Sequence, residues 1–298
     1  MRGVSFLLLC AWAVAGEYAG SHQLHYSFTG VSNPVPGLPV FSIVQYLDDQ
    51  MTTIYSSNTG ATRPGVPWMD NGDLENWAHT LYEDKDWWKM VFKHNIKTAM
   101  SRFNQTGGFH IFQLMYGCEL RHDNSSRLYY RYGYDGRDFL TLDTERWVFE
   151  PSVYEAQIST QRWNSAEDGA GQRWKYILEM RCVELLKKYF GYGRRALERR
   201  VSPQVKISSQ ELGDVTNLHC RVYGFYPQEV DVKWVKNGKD VVHLVESTPI
   251  LPNNDGTYQF IVSIKVTPKD GSTYSCHIDH CSLVEELIVP WGEHEPYK

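Results

Sequence analysis

The sequence predicts an α+β fold followed by an all-β domain. Residues 21–200 divide into two similar halves, and in each half several strand patterns precede a long helical pattern. Two such halves favour one antiparallel sheet that carries both helices on one face. Residues 202–291 contain strand patterns only, with alternating apolar residues around two cysteines. The chain is therefore expected to combine a sheet-and-helix platform with a smaller β domain.

Composition excludes several kinds of protein. The 298 residues are 42% hydrophobic and 22% charged, which is ordinary for a globular protein. A net charge of −5 argues against a nucleic-acid binder, and a mean hydropathy of −0.44 excludes a polytopic membrane protein. The sequence contains no nucleophile elbow, paired-carboxylate motif, His-Glu-x-x-His motif or phosphate loop. We therefore expect neither an enzyme nor a cofactor or metal site.

The first residues form a short apolar segment. Arg2 precedes an apolar run over 4–15, which small residues follow. This pattern predicts a secretory signal peptide over 1–19. A membrane anchor is disfavoured, because the run is shorter than the roughly 20 residues that a spanning helix needs. We expect a protein that is either secreted or held at the cell surface by an anchor outside this sequence, with 292–298 as a polar connecting tail.

The first half of the platform covers residues 20–107. Strand patterns are predicted at 24–29, 40–47 and 51–55. A helical pattern over 72–103 follows them, because large or apolar residues recur there at helical spacing. These residues are Trp77, Leu81, Trp88, Phe92, Asn95 or Ile96, and Ala99.

The second half covers residues 108–200. Strand patterns at 108–120, 127–134 and 139–142 precede a helical pattern over 152–191. An Asp-Gly-Ala-Gly run interrupts this helical pattern, so we expect a break in the second helix.

Cys220 and Cys276 mark the third domain, which is predicted over 201–291. Trp234 lies 14 residues after the first cysteine, and Tyr274 lies two residues before the second. These spacings are typical of an immunoglobulin domain, in which a disulfide joins two sheets and a tryptophan packs on it. We therefore pair Cys220 with Cys276.

The remaining cysteines outside the signal peptide are Cys118, Cys182 and Cys281. The secretory context favours disulfides, so we pair Cys118 with Cys182 and leave Cys281 unpaired. Cys281 is interpreted as an inert thiol or as a partner in an intermolecular disulfide. A zinc site with His277 and His280 is disfavoured, because the two histidines would differ in direction or in height along the strand.

The Cys118–Cys182 pair orients the platform. Strand alternation places Tyr116 on the same sheet face as Cys118, and Gln113 on the opposite face. Since Cys182 lies on a predicted helix, the face with Cys118 must lie under the helices. Tyr189 is in helical register with Cys182 and points inward. The expected result is a groove between two helices with Tyr116 on its floor.

Two sequons indicate surface glycosylation. They begin at Asn104, after the first helical pattern, and at Asn124, in a predicted hairpin loop.

The sequence resembles the heavy chain of major histocompatibility complex class I proteins over about residues 20–291. The resemblance implies an eight-stranded antiparallel sheet with a two-helix groove, plus a constant-type immunoglobulin domain. It names the three parts alpha-1, alpha-2 and alpha-3. It also implies beta-2-microglobulin as a light chain and T-cell or innate receptors as partners. The motifs that carry it are Gly20–Tyr26, Pro67-Trp68, Arg102–Thr106, Met115–Cys118, Tyr134–Asp138, Gln161–Trp163, Cys182–Tyr189 and Phe225–Pro227.

The resemblance also implies ligand-binding positions. Tyr26 and Tyr189 match tyrosines that fix a peptide's amino terminus, whereas Asn76 and Ile177 stand where two further tyrosines are expected. The residues that match the set for the carboxylate end are Arg102, Ser159, Arg162 and Trp163.

Aromatic residues crowd the expected groove. Trp88 and Phe92 lie on the first helical stripe, Trp174 lies on the second helix, and the floor carries Phe28, Tyr116, Tyr130 and Tyr132. We interpret this as a narrow apolar groove of a nonclassical member, which takes a restricted hydrophobic ligand, a peptide or none. The alternatives are a classical peptide presenter and, less favoured, a relative that binds an immunoglobulin Fc region or a regulatory partner.

The expected light-chain contact lies on the other face of the sheet. The residues that match it are Gln113, Asp135, Gly136 and Asp138, with Gln259 in the third domain.

Overall fold

The computed structural model describes residues 21–69, 85–267 and 271–292. Within these ranges, residues up to Arg194 form one compact unit and residues from Arg195 form another. The predicted signal peptide, Asn76, Trp77 and Leu81 lie outside the described residues.

The first unit contains an eight-stranded antiparallel sheet, as predicted. Its strand order is β4-β3-β2-β1-β5-β6-β7-β8, so the two halves of the platform meet where β1 pairs with β5. Tyr26 lies opposite Tyr116 in this central pair. The strands are β1 His22–Val31, β2 Phe41–Leu47, β3 Gln50–Ser56, β4 Ala61–Pro64, β5 Ile111–Leu120, β6 Ser126–Tyr134, β7 Arg137–Asp143 and β8 Val148–Pro151.

Helices cover one face of this sheet. The first half contributes α1, and the second half contributes a broken helix in four consecutive pieces. Gly169, with a left-handed φ of 59°, begins the piece after the predicted break. The described helices are α1 Lys85–Arg102, α2 Gln157–Trp163, α3 Ala170–Tyr176, a π-helical segment Ile177–Cys182 and α4 Val183–Leu197, with short 3-10 turns at Pro67–Met69 and Tyr154–Ala156.

The core of the platform lies between the sheet and the helices. Along β5, the even-numbered residues Phe112 to Leu120 are buried while Gln113 and Met115 are exposed, as the alternation predicts. Phe92 of α1 packs against the strand position of Gly30, where a Cβ atom would lie only 2.9 Å from the Phe92 ring. A side chain at this position would push α1 away from the sheet.

Both predicted disulfides are confirmed. Cys118 on β5 is bonded to Cys182 at the end of the π-helical segment, and this bond ties the second helix to the sheet. Cys220 is bonded to Cys276 in the second unit.

The second unit is an all-β immunoglobulin-like domain of two sheets, as predicted. One sheet has the order β13-β15-β10-β9, with β14 also paired to β15, and the other has the order β12-β11-β16-β17. Trp234 is fully buried, and its indole Nε1 donates to the carbonyl of Val262 across the core at 3.0 Å. The strands are β9 Gln204–Leu212, β10 Val215–Phe225, β11 Asp231–Lys236, β12 Asp240–Val241, β13 Glu246–Ser247, β14 Leu251–Pro252, β15 Tyr258–Val266, β16 Tyr274–Asp279 and β17 Leu287–Trp291.

The histidines near Cys281 have structural partners. His280 is buried, with ring nitrogens hydrogen-bonded to Pro227 and Ser282, and His277 contacts the Glu286 carboxylate at 2.9 Å. The Cys281 thiol is free and partly buried. The described residues contain no cluster of three potential metal ligands from histidine, cysteine or carboxylate side chains. They also contain no helix that is long and apolar enough to span a membrane.

Candidate functional site

A cavity of about 810 Å³ lies between α1 and the broken second helix. Its size falls within the range of roughly 300–1,000 Å³ that is usual for pockets that hold small molecules. The lining residues come from α1 (Trp87, Trp88, Met90, Val91, His94, Asn95, Thr98, Arg102), from the sheet (Tyr116, Tyr130, Tyr132, Phe149) and from the second helix and its break (Ile158, Ser159, Arg162, Trp163, Asp168, Ala170, Arg173, Trp174, Ile177).

Three tyrosines form the floor of this cavity. Tyr116 lies on β5, and Tyr130 and Tyr132 lie at alternate positions of β6, so all three project from the face under the helices. Burial raises the pKa of each hydroxyl, to about 12 for Tyr132. The hydroxyls of Tyr130 and Tyr132 also bond to each other. The floor therefore offers neutral hydrogen-bonding groups at physiological pH.

Three tryptophans narrow the cavity from its walls. The Trp88 ring lies 4.9 Å from the Phe28 ring, and the Trp174 ring lies 4.3 Å from the Tyr130 ring. The Trp163 ring packs 5.1 Å from the Phe149 ring. Each ring removes volume from the space between the helices and leaves an apolar surface.

Arg102 closes one end of the cavity. Its guanidinium Nη1 donates to the Glu155 carbonyl at 2.8 Å and to the Ser159 hydroxyl at 3.0 Å. These bonds join the end of α1 to the start of the second helix. Because the guanidinium group has five donors, it retains others for a ligand.

The rim of the cavity is cationic. Arg173 donates from Nη2 to the Asp168 carboxylate at 2.6 Å, and Arg162 Nε lies 3.9 Å from the other oxygen of that carboxylate. The Arg162 side chain is 78% exposed. One carboxylate thus faces two guanidinium groups at the helix break, with Arg102 as a third cation in the lining.

Most of the predicted groove residues line this cavity, but four do not. Tyr26, Phe28, Phe92 and Tyr189 are at most 1% exposed and lie in the packed core between helices and sheet. The Tyr189 hydroxyl bonds to Gln45. A direct ligand contact for these four side chains stays a prediction.

Sequence reasoning missed several residues of the lining. Val91 and Thr98 follow Trp88 at helical spacing toward Arg102, so the period of the helix contained this signal. Asn95 was included in the predicted helical pattern but was not assigned to the groove. Arg173 joins the lining from beyond the helix break. Phe149 lies on β8, for which no strand pattern was recognised.

The predicted light-chain residues occupy the face and edge away from the helices. Gln113, Gly136 and Asp138 are exposed, whereas Asp135 accepts hydrogen bonds from His110 Nδ1 and the Ile111 backbone N–H at 2.8 and 2.9 Å. In the second unit, Gln259 accepts from Arg221 at 2.8 Å and donates to Asn253 at 2.7 Å. The two sequon asparagines, Asn104 and Asn124, are exposed and have left-handed backbone angles.

Known protein families match both units. Residues 20–197 match the family described as class I histocompatibility antigen, domains alpha 1 and 2, and residues 202–283 match the immunoglobulin C1-set domain. The F10 alpha chain of the class I histocompatibility antigen of Gallus gallus is 35% identical over 287 residues, which are 95% of this chain and 82% of the relative.

The chain is also similar to proteins that are not named as class I antigens themselves. The major histocompatibility complex class I-related protein 1 of Mus musculus is 34% identical over 95% of this chain and 83% of the relative. The zinc-alpha-2-glycoprotein of Bos taurus is 35% identical over 97% of this chain and 96% of the relative. The chain therefore belongs to the class I histocompatibility antigen family, whose members present or bind ligands and are not enzymes.

Proposed function

We propose that the chain is a nonclassical class I protein that displays a restricted apolar ligand to T-cell or innate lymphocyte receptors. The observation that carries this proposal is the narrowing of the cavity by Trp88, Trp163 and Trp174. A walled space of about 810 Å³ suits a compact ligand that buries most of its surface. Two disulfides agree with passage through the secretory pathway, toward release or display at the cell surface.

The ligand is expected to be anchored at one end. Arg102 and Arg162 are positioned to bind a carboxylate or another acidic group with charge-assisted hydrogen bonds, beside Ser159 and Trp163. The body of the ligand would lie against Trp88 and the tyrosine floor. Phe92 supports this surface from below, since its ring is 6.4 Å from both Trp88 and Tyr132.

Classical peptide presentation is the second candidate, and the similarity to the chicken class I antigen favours it. Ile177 opposes it, because this aliphatic residue lines the cavity where the resemblance places a tyrosine. A lost hydrogen bond to a charged amino terminus is worth about 1.5–3 kcal/mol.

Thermal melting separates these two functions. The refolded complex with beta-2-microglobulin is melted without peptide, with a random nonamer pool, and with the same pool carrying acetylated amino termini. The proposal predicts a small rise in Tm that acetylation leaves unchanged. A large rise that acetylation abolishes would show a working amino-terminal pocket and would establish peptide presentation instead.

We further propose beta-2-microglobulin as the light chain. Support comes from Gln113, Gly136 and Asp138, which are exposed on the platform, and from Gln259 of the immunoglobulin-like domain.

The chain expressed alone should aggregate, whereas refolding with the light chain should give a stable complex. Gln113→Lys should weaken light-chain binding about tenfold, through loss of one polar contact. Gln172→Lys, an exposed change on α3, should leave affinity unaltered. A stable chain without light chain, or equal affinities for both variants, would contradict the assignment.

A further inference from the structure

The outer side of α1 carries a regular row of lysines. Lys85, Lys89, Lys93 and Lys97 recur at intervals of four residues, and each interval is one helical turn. We call these four residues the lysine row. Lys85 and Lys97 are twelve residues apart, so the row is about 18 Å long at 1.5 Å per residue.

The lysine row lies outside the cavity. Lys89, Lys93 and Lys97 are exposed, and none of them belongs to the cavity lining. Lys85 is partly buried, and its ammonium lies over the Tyr55 ring at 5.4 Å. The row is therefore accessible from outside while the inner side of the same helix faces the candidate ligand.

The row carries more positive charge than the carboxylates of its own helix can balance. Lys89, Lys93 and Lys97 form no ion pair in the part of the chain that the structure describes, and Asp86 is the one carboxylate residue in α1. Like charges four residues apart destabilise a helix. Ion pairs among the described residues therefore do not account for four lysines in this arrangement.

We propose that the lysine row binds a linear sulphated polysaccharide. Clusters of lysine and arginine on one face are the usual footprint of binding to heparin-like polyanions. The whole chain carries a net charge of −5, so a polyanion would be repelled except where cations are concentrated. A flexible chain with repeated sulphate groups can follow a row of point charges along one helix.

The observations favour this partner over an acidic protein or a membrane. Protein interfaces have aromatic and arginine anchors at their centre and are depleted in lysine. Surface helices that bind membranes insert large apolar side chains beside their cations. The exposed large apolar side chains of α1, Trp87 and Met90, line the cavity and are not part of the lysine row, which suits a hydrated polyanion.

Heparin binding by surface plasmon resonance tests the proposal. The purified complex of the full chain with beta-2-microglobulin is passed over immobilised heparin at several NaCl concentrations. We expect measurable binding at 150 mM NaCl, and a Kd about 30-fold higher for Lys89→Gln/Lys93→Gln. The slope of log Kd against log salt concentration should fall by about 2 in that variant. Its Tm should equal or exceed that of the unchanged chain, because glutamine is a good helix former and repulsion is relieved.

The control is Lys187→Gln/Arg195→Gln, which removes two exposed cations from α4 and changes the net charge equally. This control should bind heparin as tightly as the unchanged chain does. Desulphated heparin should bind neither the unchanged chain nor the control. An equal loss of heparin affinity in Lys89→Gln/Lys93→Gln and in the control variant would show a general charge effect and overturn the proposal. Absence of heparin binding, or equally tight binding to polyglutamate or to anionic phospholipid vesicles, would overturn it as well.

Discussion

Single hydroxyl and guanidinium groups decide the chemistry of the cavity. Burial keeps the floor tyrosines protonated, so Tyr116, Tyr130 and Tyr132 contribute hydrogen bonds without charge. The charged groups of the described lining lie at the rim, where Arg102, Arg162 and Arg173 outnumber the one carboxylate, Asp168. This division explains why an apolar ligand with one acidic end fits the described lining best.

His280 shows a second kind of residue-level constraint, in the immunoglobulin-like domain. Its Nε2 donates to the Pro227 carbonyl at 3.0 Å, so Nδ1 accepts from the Ser282 hydroxyl and backbone N–H at 2.6 and 3.2 Å. Burial lowers the pKa of this ring. Protonation of Nδ1 would remove its role as acceptor and place a charge in the core.

This constraint predicts acid sensitivity of folding. Because the folded pKa of His280 lies below the unfolded value of about 6.5, its contribution to stability is constant above that pH and falls as pH decreases through it. The loss approaches about 1.4 kcal/mol for each pH unit. His280→Gln should cost about 1–3 kcal/mol at pH 7.5 through lost buried hydrogen bonds, and should flatten the pH dependence.

Urea denaturation of both proteins at pH 7.5 and 5.5 measures this effect. Other histidines contribute with either sign; for example, hydrogen bonding to Asp135 raises the pKa of His110. The difference between the variant and the unchanged chain isolates His280. Parallel pH profiles for the two proteins would refute the assignment.

At the scale of elements, helix α4 contains two glycines with different surroundings. A Cβ at Gly193 would lie 2.9–3.0 Å from the Trp68 ring, whereas a Cβ at Gly191 would meet nothing within 4 Å. Gly193→Ala should therefore destabilise the platform by about 1–3 kcal/mol through overpacking. Gly191→Ala should stabilise it by up to about 1 kcal/mol, because alanine is the better helix former.

Chemical denaturation of the two alanine variants checks this pair. Both substitutions add the same methyl group to the same helix, so each serves as the control for the other. Similar shifts in the free energy of unfolding would mean that the close approach of Trp68 does not constrain α4.

Elements were predicted best where one face of a regular structure is buried. In β5, a period of two residues identified the buried face and placed Tyr116 on the cavity floor. The Asp-Gly-Ala-Gly run in the pattern over 152–191 predicted the break before Ala170, but the pattern did not predict the π-helical piece that follows. The π-helical segment Ile177–Cys182 and the clamp of Asn164 on the Phe149 backbone, at 2.8 and 2.9 Å, depend on tertiary contacts.

The sequence predicted which face each site residue lies on, but not which of these residues are covered by others. Periodicity indicates the face on which Phe28 and Phe92 lie, but it does not show which neighbours cover them. Trp88 lies against Phe28, and both phenylalanines belong to the core rather than to the cavity wall. Arg173 comes from beyond the helix break, so only the folded arrangement brings it to the lining.

At the scale of the whole molecule, the platform presents two different surfaces from one helix. The inner side of α1 lines an aromatic cavity with Trp88 and Asn95, and the outer side carries the lysine row. The immunoglobulin-like unit has its own sheets and its own disulfide, Cys220–Cys276. The cavity belongs to the platform, so a substitution that damages the cavity should leave the second unit folded.

Mass spectrometry of the bound ligand tests the proposed display most directly. Ligands are extracted by denaturation from complexes with beta-2-microglobulin. The complexes contain the unchanged chain, Asn95→Trp, which adds a bulky ring inside the cavity, or Gln172→Trp, which adds the same ring at an exposed position on α3. We predict one or a few compact ligands from the unchanged chain and from Gln172→Trp, and none from Asn95→Trp. A diverse set of peptides of uniform length, or the same ligand retained by Asn95→Trp, would contradict a restricted ligand in this cavity.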